Sequence, residues 1–546
     1  CNIVPVVKSL TKYAHMIVHP ENIRYHLEKA LYLVQSGRPG PAWLDIPLNV
    51  QAAMIETDDL IGFDPEDYEN GGTGWGTMGN IHAIPEDEAG KGEKRQLLPG
   101  EVSRETADLI LSKIRAAKRP VINAGNGIRI AGAHDVFMRV AEKLGIPVIT
   151  GWDSEDCIWD EHPLYTGRAG NMGDRAGNFA IQNSDLVLSV GSRLSIRQVG
   201  YNYKTWARAA FVIANDIDSE ELKKPSVHAD LAVHADAKDL LEQLDGALDE
   251  ILEKEGNQLA ESLSKKGEKQ LFGGGEGLPG MSWSETCRMW KETYPGVQEK
   301  HWNFTDQEPA NVYAAIQAIS SRLKEDQITV VGNGSACVVG GHAYVIKKGQ
   351  RFITNSAVAA MGYDLPAAIG AWTASRDSRC YSQGRDRSGE DLILVTGDGS
   401  IQMNLQELQT IIHHKMGIKI FLINNGGYHS IRQTQKNFFG EPLIGIGVDS
   451  GDLSFPNMEK LACAYGYPYI KAEHNSELAK AVEQTLAAEG PVICEIFVSM
   501  DQNFEPKSAA KRLPDGTLVS PPLEDLSPFL PDEEMDRIML IPRIKK

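Results

Sequence analysis

Asp398 sits between two glycines in "GDGS", and Asn425, in "NNGG", lies 27 residues further on (425 − 398). One carboxylate, one amide oxygen and tight glycine turns suit a small hard cation. Magnesium takes oxygen ligands, and proteins usually hold it through a few groups plus phosphate oxygens. Gly397 and Gly399 let backbone N–H groups approach an anion that Cβ atoms would keep at a distance. A helix opening after Ser400 would add its positive N-terminal end. The expected ligand is therefore a magnesium-bound diphosphate, with the NNGG glycines freeing backbone carbonyls as further ligands. Each motif alone is an ordinary turn; the chemistry needs both at one place.

The elements around the motifs can bring them there. "DLILVTG" and "IKIFLIN" are continuous apolar strands, and Leu405, Leu408 and Ile411 give the segment between them one apolar face. That is a βαβ unit, whose crossover makes its strands parallel. Asp398 and Asn425 then leave the sheet at the same edge, where open α/β sheets bind ligands.

The rest of the chain reads as more of the same architecture. Its 546 residues exceed one core, so several domains are expected. Residues 1–54 read as part of an α/β unit, with the helix of "PENIRYHLEKALYLVQSG" and the strand of "PAWLDIPLNV". A Gly-, Asp- and Glu-rich stretch over 55–102 reads as a linker. A second α/β unit over 103–250 carries the strands "RPVINAG", "IPVIT", "DLVLSVGS" and "AAFVIAND". A connector over 251–308 leads to a third unit over 309–500, with "QITVVGN", "QRFITN", "DLILVTGD", "IKIFLIN" and "PVICEIFV". The proline-rich tail, 501–546, is expected to wrap the surface. The fold class is α/β, with three doubly wound parallel-sheet domains of which the first is incomplete.

Composition narrows the function. A net charge of −19 with scattered basic residues argues against nucleic acid as a partner. No apolar run reaches eighteen residues, so no membrane partner is expected. Seven dispersed cysteines without a CxxC pair fit reduced thiols in a cytoplasmic protein. Position 1 is Cys, so the true N-terminus can lie upstream.

GDG followed at this distance by NN resembles the signature of the thiamine-diphosphate-dependent enzymes, and "NSAVAAMGYDLPAAIGAW" (355–372) is similar to the preceding segment in their acetolactate synthase branch. "GNGSACVV" (332–339) resembles the family's loop and helix start over the diphosphate, which brings in Ser335 and Ala336. "SGRPGPAWLDIPLNVQ" (36–51) looks like the closing strand of its pyrimidine-binding domain. The order implied is pyrimidine domain, central Rossmann-like domain, then diphosphate domain. By this resemblance Asp398 and Asn425 ligate magnesium by side chain, Gly427 by its carbonyl, and Ser400 holds a phosphate oxygen. Met361 wedges the cofactor into its bent form, and the Ala359 carbonyl holds the aminopyrimidine nitrogen. Tyr428, His429 and Ser430 line the cofactor; His429 is the expected proton donor or substrate contact, and His413 and His414 are surface residues.

The same resemblance implies decarboxylation of a 2-oxo acid with carboligation, pyruvate being the expected donor, in a homodimer or homotetramer with the active site between subunits. The alternatives are another thiamine-diphosphate decarboxylase, a carboligase of sugar or polysaccharide synthesis, or a non-catalytic cofactor-binding subunit. Asp364 stands where the synthase branch usually has glycine. The family's activating glutamate would precede residue 1, since Glu21 and Glu28 lie in the wrong part of the domain. The chain is thus expected to be N-terminally truncated, binding the metal-diphosphate but activating it poorly. Residues 167–200 resemble the branch's FAD-contacting segment, with Arg193 and Arg197 in place but Ser195 and Ile196 where two aspartates are usual. FAD is the third cofactor this resemblance admits. "NAGNGIRIAG" (123–132) departs from GxGxxG and gives little support to a nicotinamide-dependent oxidoreductase.

Overall fold

The computed structural model describes residues 3–75, 99–262, 272, 275–355, 358–377, 390–512 and 518–544. They form two compact units: Cys1–Glu101 with Ile217–Lys223 and His234–Asp236, and Val102–Asp216 with Lys224–Val233 and Ala237–Lys546.

In the first unit β1 (Tyr13–Met16) pairs in parallel with β2 (Ala42–Asp45), Tyr13 opposite Ala42. The helix Ile23–Gln35 buries Tyr25, His26, Lys29 and Ala30, a one-sided stripe of near-helical period. The buried Lys29 ammonium lies 5.1 Å from the ring centres of Tyr13 and Tyr68, where ring faces replace part of its lost hydration. The linker expected over 55–102 is structured as far as Trp75. Asp64 caps the helix Pro65–Glu69 through the amides of Glu66 and Asp67, and Phe63 bridges to Trp75. Trp75 stacks on Tyr25 at 4.3 Å. Gly- and acid-rich composition hid this segment, because its stability comes from aromatic packing on a distant helix. The remainder of that stretch, 76–98, lies outside the described residues.

The second unit holds two six-stranded sheets. In the first are β3 (Pro120–Ala124), β4 (Val148–Thr150), β5 (Tyr165–Arg168), β6 (Leu186–Val190), β7 (Phe211–Asp216) and β8 (Leu231–His234), in the order β5-β4-β3-β6-β7-β8. In the second are β9 (Ile328–Val331), β10 (Arg351–Thr354), β11 (Leu392–Gly397), β12 (Ile418–Asn424), β13 (Tyr469–Ala472) and β14 (Val492–Phe497), in the order β10-β9-β11-β12-β14-β13. The pairings among β3–β7 and among β9–β14 are parallel. Strand order turns back at β3/β6 in one sheet and at β9/β11 in the other, the places where open sheets form ligand crevices.

Both faces of the second sheet are covered, which is why its strands read as unbroken apolar runs. Ile393, Val395, Phe421 and Ile423 face a core built with the helices Val312–Arg322, Ser335–Ala343 and Asn475–Ala487. Leu392, Leu394, Ile420 and Leu422 face the opposite core with Leu365, Leu408 and Ile411. The crossover is less regular than expected: a 3-10 turn, Ile401–Asn404, precedes the helix Glu407–His413. Any anion-facing dipole from this segment is correspondingly small. The longer helix Ser335–Ala343, entered through Gly334 at φ +73, is the better donor of that field.

Candidate active site

The tips of β9, β11 and β12 enclose a cavity of about 130 Å³ at the sheet's reversal point. Of the residues singled out in the sequence, Ser335, Met361, Gly397, Asp398, Gly399, Ser400, Asn425, Gly427, Tyr428, His429 and Ser430 line it. Ala336 does not: it is fully buried in the core behind the helix. Ala359 does not line it either. Its backbone is left-handed at φ +50, and its carbonyl accepts from the Asn333 side chain, so the atom expected to meet the aminopyrimidine is engaged within the chain. Asn333, Gly334 and Ile431 join the lining without having been singled out.

Asp398 and Asn425 are both nearly fully buried at adjacent strand tips. Asn425 donates its amide N–H to Ser335 Oγ at 2.8 Å, which aims its oxygen away. Asp398 Oδ1 accepts from the Gly399 amide at 3.0 Å. Asp398 Oδ2 and Asn425 Oδ1 find no hydrogen-bond donor among the described residues. A buried polar atom left so costs about 1–3 kcal/mol, and here two acceptors share one cavity. Burial pushes the Asp398 carboxyl up to about 7, against the opposing pull of the Gly399 and Gly427 amides and Arg432. A divalent cation supplies what both oxygens lack, and the donor set is all oxygen. Among the described residues no cluster of three or more His, Cys, Asp or Glu gathers for a metal. A cation here would therefore rely on one carboxylate, the amide, backbone carbonyls and oxygens brought by its ligand.

The glycines divide by cause. A Cβ on Gly427 would fall 2.1 Å from the Ile446 carbonyl, and one on Gly399 would strike the Tyr428 ring at 2.4 Å, so the chain's own packing demands both. A Cβ on Gly397 would meet nothing nearer than 4.0 Å. Its absence instead leaves open the space over the strand tip, where an anion could approach the backbone.

Several residues that hold the site were missed. Arg432, fully buried, donates to the carbonyls of Asn425 and Gly426 at 3.1 and 3.2 Å and pairs twice with Asp449. Asn424 accepts from the Gly426 amide and donates to Glu495, which also takes the Tyr469 hydroxyl. These bonds fix the NNGG turn from both sides. Asp364 is buried, accepting the Thr396 hydroxyl and the Leu365 amide. Gly332 leaves it room, since a Cβ there would lie 2.5 Å from its Oδ2. Beside it, Met361 is anchored through Gly362, whose amide donates to Ser400 Oγ and whose carbonyl accepts from Asn404. The Ser400 hydroxyl keeps its own proton to donate.

His429 sits differently from expectation. Its Nε2 lies 2.7 Å from the Gln502 carbonyl and 2.7 Å from the Gln433 side-chain amide nitrogen. Nδ1 accepts from Arg432 at 3.4 Å. Burial holds the imidazole down at about 4, neutral near pH 7. The ring joins the tail to the loop after β12 and is not a free acid. His413 and His414 are exposed, as read from the sequence. In the other sheet Arg193 is exposed, and Arg197 lies over the Trp152 ring at 4.6 Å.

Two family descriptions match this chain: "Thiamine pyrophosphate enzyme, central domain" over residues 107–244 and "Thiamine pyrophosphate enzyme, C-terminal TPP binding domain" over residues 332–496. The probable acetolactate synthase large subunit of Methanococcus aeolicus is 26% identical over 95% of this chain and 75% of its own length. The acetolactate synthase large subunit of Lactococcus lactis is 27% identical over 92% of this chain and 74% of its own. Acetolactate synthase isozyme 1 large subunit of Escherichia coli is 25% identical over 91% and 74%. The second matched region contains both strand tips and every cavity-lining residue. With both domain descriptions matched in order and these relatives aligned along most of its length, the chain belongs to the thiamine-pyrophosphate enzyme family, in its acetolactate-synthase-like branch.

Proposed function

We propose that this protein is a thiamine-diphosphate- and magnesium-dependent enzyme that decarboxylates a 2-oxo acid, pyruvate being the expected donor, and ligates the fragment to a second 2-oxo acid. One observation carries the reading: the buried, donor-less oxygens of Asp398 and Asn425 share one cavity at neighbouring parallel strand tips. When bound, the cofactor's thiazolium ring supplies the electron sink that such carbon–carbon chemistry needs. Asp398 and Asn425 hold the cation by side chain and Gly427 by its carbonyl. Ser335 and Ser400 present hydroxyls to the diphosphate, and Met361 stands on its anchored turn as the wedge. Tyr428 and Ser430 line the cofactor, whereas His429 positions the loop. The Ala359 carbonyl, which accepts from Asn333, keeps a second lone pair for a ligand's amino group.

The domain reading stands with this proposal: pyrimidine-binding part, central domain, then diphosphate domain, in a cytoplasmic homodimer or homotetramer. Product analysis with pyruvate, thiamine diphosphate and magnesium tests it. The chain is assayed as it stands and with any reading frame preceding Cys1 restored. Acetolactate with carbon dioxide is expected. Acetaldehyde alone would reassign the protein to simple decarboxylation. No carbon dioxide in either form would leave a binding subunit.

A further inference from the structure

We infer that the ligand crevice of the first six-stranded sheet is filled by the chain's own groups and takes no flavin dinucleotide. In such sheets a dinucleotide lies across the strand tips at the reversal point, its pyrophosphate against glycine amides at the start of the helix after the first strand. Here that place lies between the loops after β3 and β6, and the two loops touch. A Cβ on Gly125 would fall 2.2 Å from Ser192 Cα, and one on Gly127 would lie 2.7 Å from Gly191 Cα. The Gly127 amide, which would face a pyrophosphate, already donates to the Gly191 carbonyl at 3.0 Å. The glycines allow loop-on-loop packing where a nucleotide fold uses them for its ligand.

Side chains close the remaining space. Gln198 donates to Asn123 Oδ1 at 2.9 Å, and its own oxygen lies where a Cβ on Gly151 would be, 1.9 Å away. It therefore covers the tips of β3 and β4 together. Arg197, in the position that prompted the flavin expectation, spends its guanidinium on the Trp152 face. The cavity beside the Arg197–Trp152 pair, at the tips of β4 and β5, measures about 10 Å³, against about 130 Å³ at the diphosphate site. That is room for about one water. Side chains can swing aside, but the Gly125–Gly191 contact yields only if β3 and β6 part, and Asn123 ties their ends by donating to Ser189 and Ser192.

The inference does not depend on the diphosphate reading, because the two crevices belong to different sheets. The full chain is purified without added flavin, heat-denatured, and the supernatant measured by flavin fluorescence. The native protein is then titrated with FAD while fluorescence quenching is followed. No flavin above a flavin-free control and no saturable quenching are expected. Release approaching one flavin per chain, or saturable quenching by FAD, would overturn the inference. Failure to bind thiamine diphosphate in the same preparation would count against the proposed function and leave this inference standing.

Discussion

Two residues at the site give opposite readings of what burial does to a titrating group. Asp398 is pushed up to about 7 because its charge is buried before any cation arrives. Without metal its native carboxyl holds a proton that the unfolded chain releases near 3.8, so this group makes the fold less stable as pH rises between those values. A cation must displace that proton. Magnesium affinity, measured by calorimetry across pH, should rise about tenfold per unit below about 7 and flatten above. A pH-independent affinity would contradict a raised Asp398 carboxyl that the cation must deprotonate. His429 is held neutral and engaged at both nitrogens. Replacing it with Gln keeps a donor for the Gln502 carbonyl, so His429→Gln should change turnover by less than about tenfold. A general acid would lose about 10²–10⁴, which separates the two roles in one steady-state measurement.

At the scale of elements, the NNGG turn is held by Arg432 from the helix His429–Phe438 and by Asn424 from β12. Arg432→Ala strands Asp449 and leaves two turn carbonyls without their donor. Denaturant unfolding should show a loss of about 1–3 kcal/mol, as for buried carbonyls left without a donor, with weakened magnesium binding. A variant as stable as the parent would deny the turn this support. None of this was legible in the sequence, because Arg432 and Asp449 belong to different elements and no periodicity marks them as partners. The strands that carry the site were legible, since burial on both faces writes itself as runs such as "DLILVTG". β13 was missed because "YIKA" is four residues long and carries a lysine at the sheet edge. β5, with a glycine and an arginine inside it, gave no such run either. The GDG and NN motifs announced themselves, whereas the tie from His429 to the tail joins residues 73 apart and left no signal in either segment.

On the scale of the second unit, the tail does more than cover surface. Phe504 is buried in the core beneath β11 and β12, its ring 5.1 Å from His429, and Glu505 pairs with Lys300. Phe504→Ala should therefore cost about 3–5 kcal/mol in equilibrium unfolding. An unchanged midpoint would mean the tail packs elsewhere. The same unit joins a sheet whose crevice is closed to one whose crevice is open, and at the open one Asp398 and Asn425 present oxygens without donors. Calorimetric titration of thiamine diphosphate into the parent chain and Asp398→Ala, each with magnesium and with a chelator, tests that pairing most directly. Magnesium-dependent binding by the parent that vanishes in the variant is the predicted result. Equal binding by both proteins, or binding indifferent to the chelator, would contradict it.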